Sequence, residues 1–105
     1  MKLQLMVLYP QPADVRQFEA DYIKHTALLH EKMGIPTSVK PYSITKFLPM
    51  PTGAPAYYHM FSMPFESAEA LEAAMSSAAM QEVAADANRI STGGAITVLI
   101  GSVGE

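Results

Sequence analysis

The chain has 105 residues, half of them apolar, with seven Lys and Arg against ten Asp and Glu, a formal net charge of −3 and no cysteine. That length supports one core and hence one domain over residues 1–105. The missing cysteines exclude disulfides, thiolate catalysis and cysteine-ligated zinc, and a mildly acidic chain without a basic cluster argues against nucleic acid as a partner.

No apolar run approaches the ~20 residues needed to span a bilayer. The opening Met1-Lys2-Leu3-Gln4 lacks the layout of a secretory signal, because Gln4 interrupts the run and no small-residue cleavage site follows. The expectation is a soluble cytoplasmic protein with no membrane partner.

Lys2 to Tyr9 is short, apolar and bounded by Pro10 and Pro12, which predicts a strand. Alternation puts Leu3, Leu5, Val7 and Tyr9 on one face and Met6 and Leu8 on the other. Asp14 then stands as an N-cap before a pattern of helical period. Val15, Phe18, Tyr22, His25, Leu29 and Met33 fall within a stripe roughly 80° wide at about 100° per residue. Gly34 and Pro36 supply the stop.

Val39 to Leu48 reads as a second strand, with Tyr42 and Ile44 on one face. Pro41 has no amide to donate, so this strand belongs at a sheet edge. Pro49 to Pro55 is a loop by its Pro and Gly content. Ala56 to Phe65 is a third strand, with Tyr57, His59, Phe61, Met63 and Phe65 on one face and Tyr58 and Met60 on the other. Ser67 caps a second helix, with Glu66, Glu69 and Glu72 near its positive end and Ala68, Leu71, Met75 and Ala78 as its stripe. Ala79 to Asn88 is alanine-rich and helical, either continuous with that helix or separate. Gly93-Gly94 ends it, and Ala95 to Val103 makes a fourth strand, apolar on both faces.

The order strand, helix, strand, strand, helix, strand predicts an α+β, ferredoxin-like βαββαβ sandwich. Right-handed crossovers then place the helices on one face of a four-stranded antiparallel sheet. Helices can cover only that face, yet Met6, Leu8, Tyr58, Met60 and alternate residues among Ile96, Val98, Leu99 and Ile100 load the other. Left in water, it would exceed the few hundred Å² of contiguous apolar surface usual for soluble monomers. The expected cover is a second copy packed sheet to sheet, making a homodimer.

On these pieces the chain resembles the EthD family of the dimeric α+β-barrel superfamily, over nearly its whole length. They are the opening strand ending in Leu8-Tyr9-Pro10, and Phe18, Tyr22, His25 and Leu28 on the first helix. Phe65-Glu66-Ser67 leading to Ala70-Leu71, and Asp86 with Arg89-Ile90-Ser91 before the last strand, complete the set. Ala27 stands where members commonly carry a proline, and Ile90 where they tend to carry an aromatic. The resemblance implies a ferredoxin-like protomer, a dimeric barrel and a small cavity in each subunit. It also implies a loose association with oxidoreductases, through the ethyl tert-butyl ether degradation system that names the family. Related barrels include isomerases, cofactor-independent monooxygenases, polyketide cyclases and haem-degrading enzymes, so the fold selects no single chemistry.

His25 is the leading candidate for catalysis. Asp21 lies four residues before it and Tyr22 three before, both within reach on a helix. A carboxylate beside a partly buried imidazole would fix its tautomer and raise its pKa, suiting it to general acid–base work. The competing reading is a core-edge histidine satisfied by Asp21 or by a backbone carbonyl. His59, among Tyr57, Phe61 and Met63, joins the same pocket if its face meets the first helix, and pairs across strands if it faces a partner subunit. Tyr9, Tyr42, Tyr57 and Tyr58 offer phenolic donors, or else fill core and interface. His30, about 140° round the helix from His25, is expected to be exposed.

The sequence contains no Gly-rich phosphate loop, nucleophile elbow or metal-spaced histidine pair, so no metal and no cofactor are expected. Two readings follow for function. One is a small enzyme in which His25 moves a proton on an apolar carbonyl-bearing or phenolic metabolite, with Tyr9, His59, Tyr57, Phe61 and Met63 around it. The other is a non-catalytic dimer that holds such a small apolar ligand for a partner oxidoreductase. Haem binding through His25 is a third.

Overall fold

A computed structural model describes residues 2–104. The elements run β1 (Leu3–Pro10), α1 (Val15–Met33), β2 (Ser43–Lys46), β3 (Tyr57–Phe65), α2 (Ala68–Met75), α3 (Ala78–Ile90) and β4 (Thr97–Ser102). The four strands form one sheet in the order β2-β3-β1-β4, and every neighbouring pair is antiparallel. This is the ferredoxin-like α+β arrangement, with the strand preceded by Pro41 at the edge. No helix among the described residues is long and apolar enough to cross a membrane.

Local chemistry sets the bounds of α1. The Asp14 carboxylate accepts the Gln17 amide at 3.1 Å, satisfying one of the donors left open at a helix start. At the other end Gly34 takes φ 66°, a conformation that costs a residue with a Cβ roughly 1–2 kcal/mol. There Ile35 N–H donates to His30 O at 2.9 Å and Gly34 N–H to Glu31 O at 3.4 Å, the paired bonds of a Schellman cap. The Ser76-Ser77 step divides the alanine-rich region into α2 and α3. Ser77 caps α3 by accepting from Met80 N–H at 3.1 Å, while its hydroxyl donates back to Ala74 O at 2.7 Å.

The core lies between the helices and the inner face of the sheet. One cluster joins Tyr9, Phe18, Tyr22, Ala87 and Ile90, and a second joins Leu29, Phe61, Met63, Met80 and Val83. Inner-face rows follow from register: Leu5 stands opposite Met63 and Ile100, and Val7 opposite Phe61 and Val98.

Four expectations need correction. The second strand is shorter than Val39 to Leu48, because only Ser43 to Lys46 enter the ladder beyond the donor-less Pro41. The fourth begins at Thr97 rather than Ala95. It follows a turn in which Gly93 packs so tightly on β1's exit that a Cβ there would collide with the Gln11 carbonyl. Val98 and Ile100 belong to the helix-side face, yet they remain 44% and 54% exposed because β4 is the outer strand beyond the helices. The outer face carries Met6, Leu8, Met60 and Leu99, with Leu99 50% exposed.

The fourth correction concerns β3. Tyr9 pairs with His59 but Pro10 pairs with Tyr57, so Tyr58 is the extra residue of a β-bulge. The bulge reverses the alternation beyond it. Tyr58 turns to the helix side, packing on Phe18 at 5.7 Å between ring centroids and donating its hydroxyl to Glu19 Oε1 at 2.9 Å. Tyr57 turns to the outer face, where its hydroxyl lies 3.3 Å from Thr97 Oγ1 on β4.

Candidate functional site

The site begins with two helices lying side by side. His25 faces inward from α1, and α3 brings Asp86 to it, with Nδ1 of His25 2.8 Å from Asp86 Oδ2. Arg89, one turn further along α3, holds the other carboxylate oxygen, its Nε and Nη2 donating to Asp86 Oδ1 at 2.9 Å and 2.8 Å. Burial would raise the Asp86 carboxyl, but the hydrogen bonds and charges of His25 and Arg89 hold it below the ordinary range. It is therefore an anion at neutral pH and accepts the Nδ1 proton.

Two consequences follow for His25. Its proton sits on Nδ1, leaving Nε2 with the lone pair and, among the described residues, without a hydrogen-bond partner. Its pKa is lowered rather than raised as expected, because loss of solvent outweighs the Asp86 hydrogen bond and charge. The imidazole is neutral at pH 7 and poised as a base.

Beside this ring lies a cavity with about 70 Å³ open to water-sized molecules, several times the ~10–15 Å³ that one water requires. Val7, Leu29, Phe61, Met80 and Val83 build apolar walls, and Tyr9 and His25 contribute its polar side chains. Burial, reinforced by the Asp86 charge, pushes the Tyr9 phenol upward, so Tyr9 stays protonated and can serve only as a neutral donor or acceptor. The arrangement offers a fixed proton acceptor and a phenol in a pocket with mostly apolar walls. Among the described residues no group of three His, Asp or Glu side chains is placed to hold a metal ion.

The residues singled out from sequence are thus divided. His25, Tyr9 and Phe61 line this cavity. Met63 packs in the core behind it, and Tyr57 is on the opposite face of the sheet. Asp21 is not the partner of His25; its carboxylate accepts from Gln17 Nε2 at 3.0 Å along the helix surface. Tyr22 and His59 touch each other at 4.1 Å between ring centroids and border a different groove, with the Tyr9 ring 5.7 Å and 5.5 Å from them. His30 is buried rather than exposed. The chain folds back after Gly34, so His30 Nδ1 meets the carbonyls of Ile35 and Pro36 at 3.2 Å and 3.1 Å, and Nε2 accepts from the Tyr42 hydroxyl at 2.7 Å. Every polar atom of that ring is satisfied, which marks it as structural.

Sequence reasoning assigned no role to Asp86 or Arg89. Asp86 lay within the predicted helical stretch Ala79 to Asn88 and Arg89 one residue beyond it, and which helix would meet them is a tertiary fact.

No protein-family model and no curated protein matches the chain. Solved structures do. An ethyl tert-butyl ether d (EthD) family protein from Bacillus halodurans C-125 superposes with a TM-score of 0.80 at 26% identity, over 98% of this chain and 99% of that one. An EthD-like protein from Ralstonia eutropha JMP134 gives 0.67 at 22% identity, over 95% and 89%. A dimeric ferredoxin-like protein of unknown function from Jannaschia sp. CCS1 gives 0.72 at 15% identity, over 98% and 100%. The ferredoxin-like fold and the likeness to the EthD family therefore both stand.

Proposed function

We propose that this EthD-like chain is a single-domain cytoplasmic homodimer that acts on a small apolar carbonyl-bearing or phenolic metabolite, with His25 as general base and no cofactor. The supporting observation is the Nδ1 contact of His25 with Asp86 at 2.8 Å beside an apolar cavity. A carboxylate behind the ring fixes the tautomer and steadies the imidazolium that forms when Nε2 takes a proton. In such a pocket a carbon acid or phenol meets Nε2 among apolar walls that limit competing water, and the Tyr9 phenol on the same lining supplies a hydrogen bond to an oxygen of the substrate. Isomerisation, cyclisation and oxygen chemistry on an electron-rich substrate all begin with that proton transfer. The cavity's size suits a small ring or side chain.

A second reading draws on the same lining. A pocket so poor in polar groups also suits a dimer that holds an apolar compound for a partner oxidoreductase. The variant His25→Ala separates the two when turnover and binding are both followed over a panel of phenols and dicarbonyl compounds. Turnover lost with binding retained supports catalysis. Full activity in the variant refutes it and leaves the carrier.

The dimer is supported by the uncovered outer face and by a neighbour of the same fold that is itself dimeric. Light scattering at micromolar concentration is expected to give twice the chain mass. Leu99→Lys, which puts a charge on the outer face beside Met6, is expected to give the monomer mass. A monodisperse wild-type monomer would remove the dimer from the account.

A further inference from the structure

A second concavity lies on the other side of the Tyr9 ring. Its walls are one face of α1 (Glu19, Tyr22, Ile23 and Thr26) and alternate residues at the sheet edge (Lys40, Tyr42, Ile44 and Lys46). The spacings of three and four on one wall and two on the other show each element presenting a single face to the groove. His59 of β3 completes it. Tyr22 and His59 are both more than nine-tenths buried, and the Tyr22 hydroxyl and both ring nitrogens of His59 have no hydrogen-bond partner.

Each orphaned buried polar group has given up its hydrogen bonds to water without a replacement, and native interiors rarely keep them. Three such atoms on two touching rings beside a groove are the pattern left where an outside molecule supplies the missing partners. Their chemistry defines that molecule. Tyr22 can donate. His59, neutral in this setting, offers one donor and one acceptor. A ligand hydroxyl answers both rings at once by accepting from Tyr22 and donating to the bare nitrogen of His59. Ile23 and Ile44 offer apolar walls to a flat ring. Lys46 is already paired with Glu19 at 2.7 Å, whereas Lys40 has no ion-pair partner among the described residues. The rim can open by rotamer change, since Ile23 is 72% exposed.

We propose that this groove is a second small-molecule site, for a phenolic acid whose hydroxyl binds Tyr22 and His59 and whose carboxylate binds Lys40. The site is separate from the His25 cavity and does not depend on His25 being a base.

The test uses 4-hydroxyphenylacetate as probe and phenylacetate as its hydroxyl-less control, with methyl NMR shifts and calorimetry on the full chain. Saturable binding is expected, with shifts at Ile23 and Ile44. The control should bind roughly tenfold more weakly, as sites built to hydrogen-bond a hydroxyl reject analogues lacking it. Lys40→Gln is expected to weaken the probe several-fold. Tyr22→Phe gives the decisive signature: it removes an unpartnered buried oxygen, so it should keep or raise Tm in the free protein while weakening the probe to the level of the control. No saturable binding, equal binding of probe and control, or shifts confined to Val83 and Ala87 beside His25 would overturn the proposal. So would a Tyr22→Phe variant that loses Tm and keeps its affinity.

Discussion

Acidification from pH 7 to pH 4 is expected to remove about 3 kcal/mol of folding stability through His59 alone. The ring is wholly buried with neither nitrogen satisfied. Loss of solvent lowers its pKa from 6.5 to about 4; Glu19 opposes that shift, while Lys46 and His25 add to it. A folded-state pKa below the unfolded one fixes the sign. The unfolded chain takes up the proton near pH 6.5 and the native chain does not. The native state therefore keeps its full advantage above about pH 6.5 and loses it as the pH falls toward about 4. His25 shifts in the same direction for the same first cause and adds to the acid limb. Asp86 and Glu19, both held below their ordinary values by cationic and hydrogen-bonding partners, extend the loss to lower pH. Urea midpoints measured from pH 7 to 4 report the sum, and His59→Phe isolates the largest part. If that variant loses as much stability on acidification as the wild type, His59 is not the group responsible.

Replacing either member of the His25–Asp86 pair is expected to be costly once a substrate is in hand. A positioned general base contributes about 10²–10⁴-fold to rate, so His25→Ala should lose that factor. Asp86→Asn should lose a large share of it with the fold intact, since an amide can present either its carbonyl or its amino group to Nδ1 and no longer fixes the tautomer. The pH profile supplies a second check. Catalysis by neutral His25 is level above pH 6.5 and falls below it, with a midpoint under 6.5 because burial disfavours the imidazolium. A rate that rises on acidification would assign the opposite role to the ring. Asp86→Asn should also loosen Arg89, whose two contacts at 2.8 Å and 2.9 Å are to the same carboxylate oxygen.

The fold was largely legible because its signals are local. The α1 stripe from Phe18 to Leu29, the Asp14 cap and the Gly34 stop are all short-range physics, and they determined the longest element. Strand order followed from the alternation of elements and from Pro41. The site was legible only in part. His25 announced itself as a polar residue on an apolar stripe, but its partner came from sixty-one residues away on α3 rather than from the neighbouring turn. Helix spacing can nominate Asp21; only packing can nominate Asp86. The one-residue bulge at Tyr58 sent Tyr57 to the wrong side of the sheet for the cavity and brought Tyr58 to α1. Nothing in the alternation of that strand signals an extra residue. His30 failed for a related reason, since its burial depends on the chain turning back over it after Gly34.

The central claim is that His25 is a neutral base, protonated on Nδ1 by its contact with Asp86 and bare on Nε2 beside the cavity. Long-range ¹H–¹⁵N correlation of the imidazole ring, recorded from pH 8 to 5, tests it without any knowledge of the substrate. The expected spectrum at pH 7 shows Nδ1 protonated and Nε2 unprotonated, with a titration midpoint below 6.5 and the tautomer preference weakened in Asp86→Asn. A ring protonated on Nε2 at pH 7, or already an imidazolium there, would contradict the account.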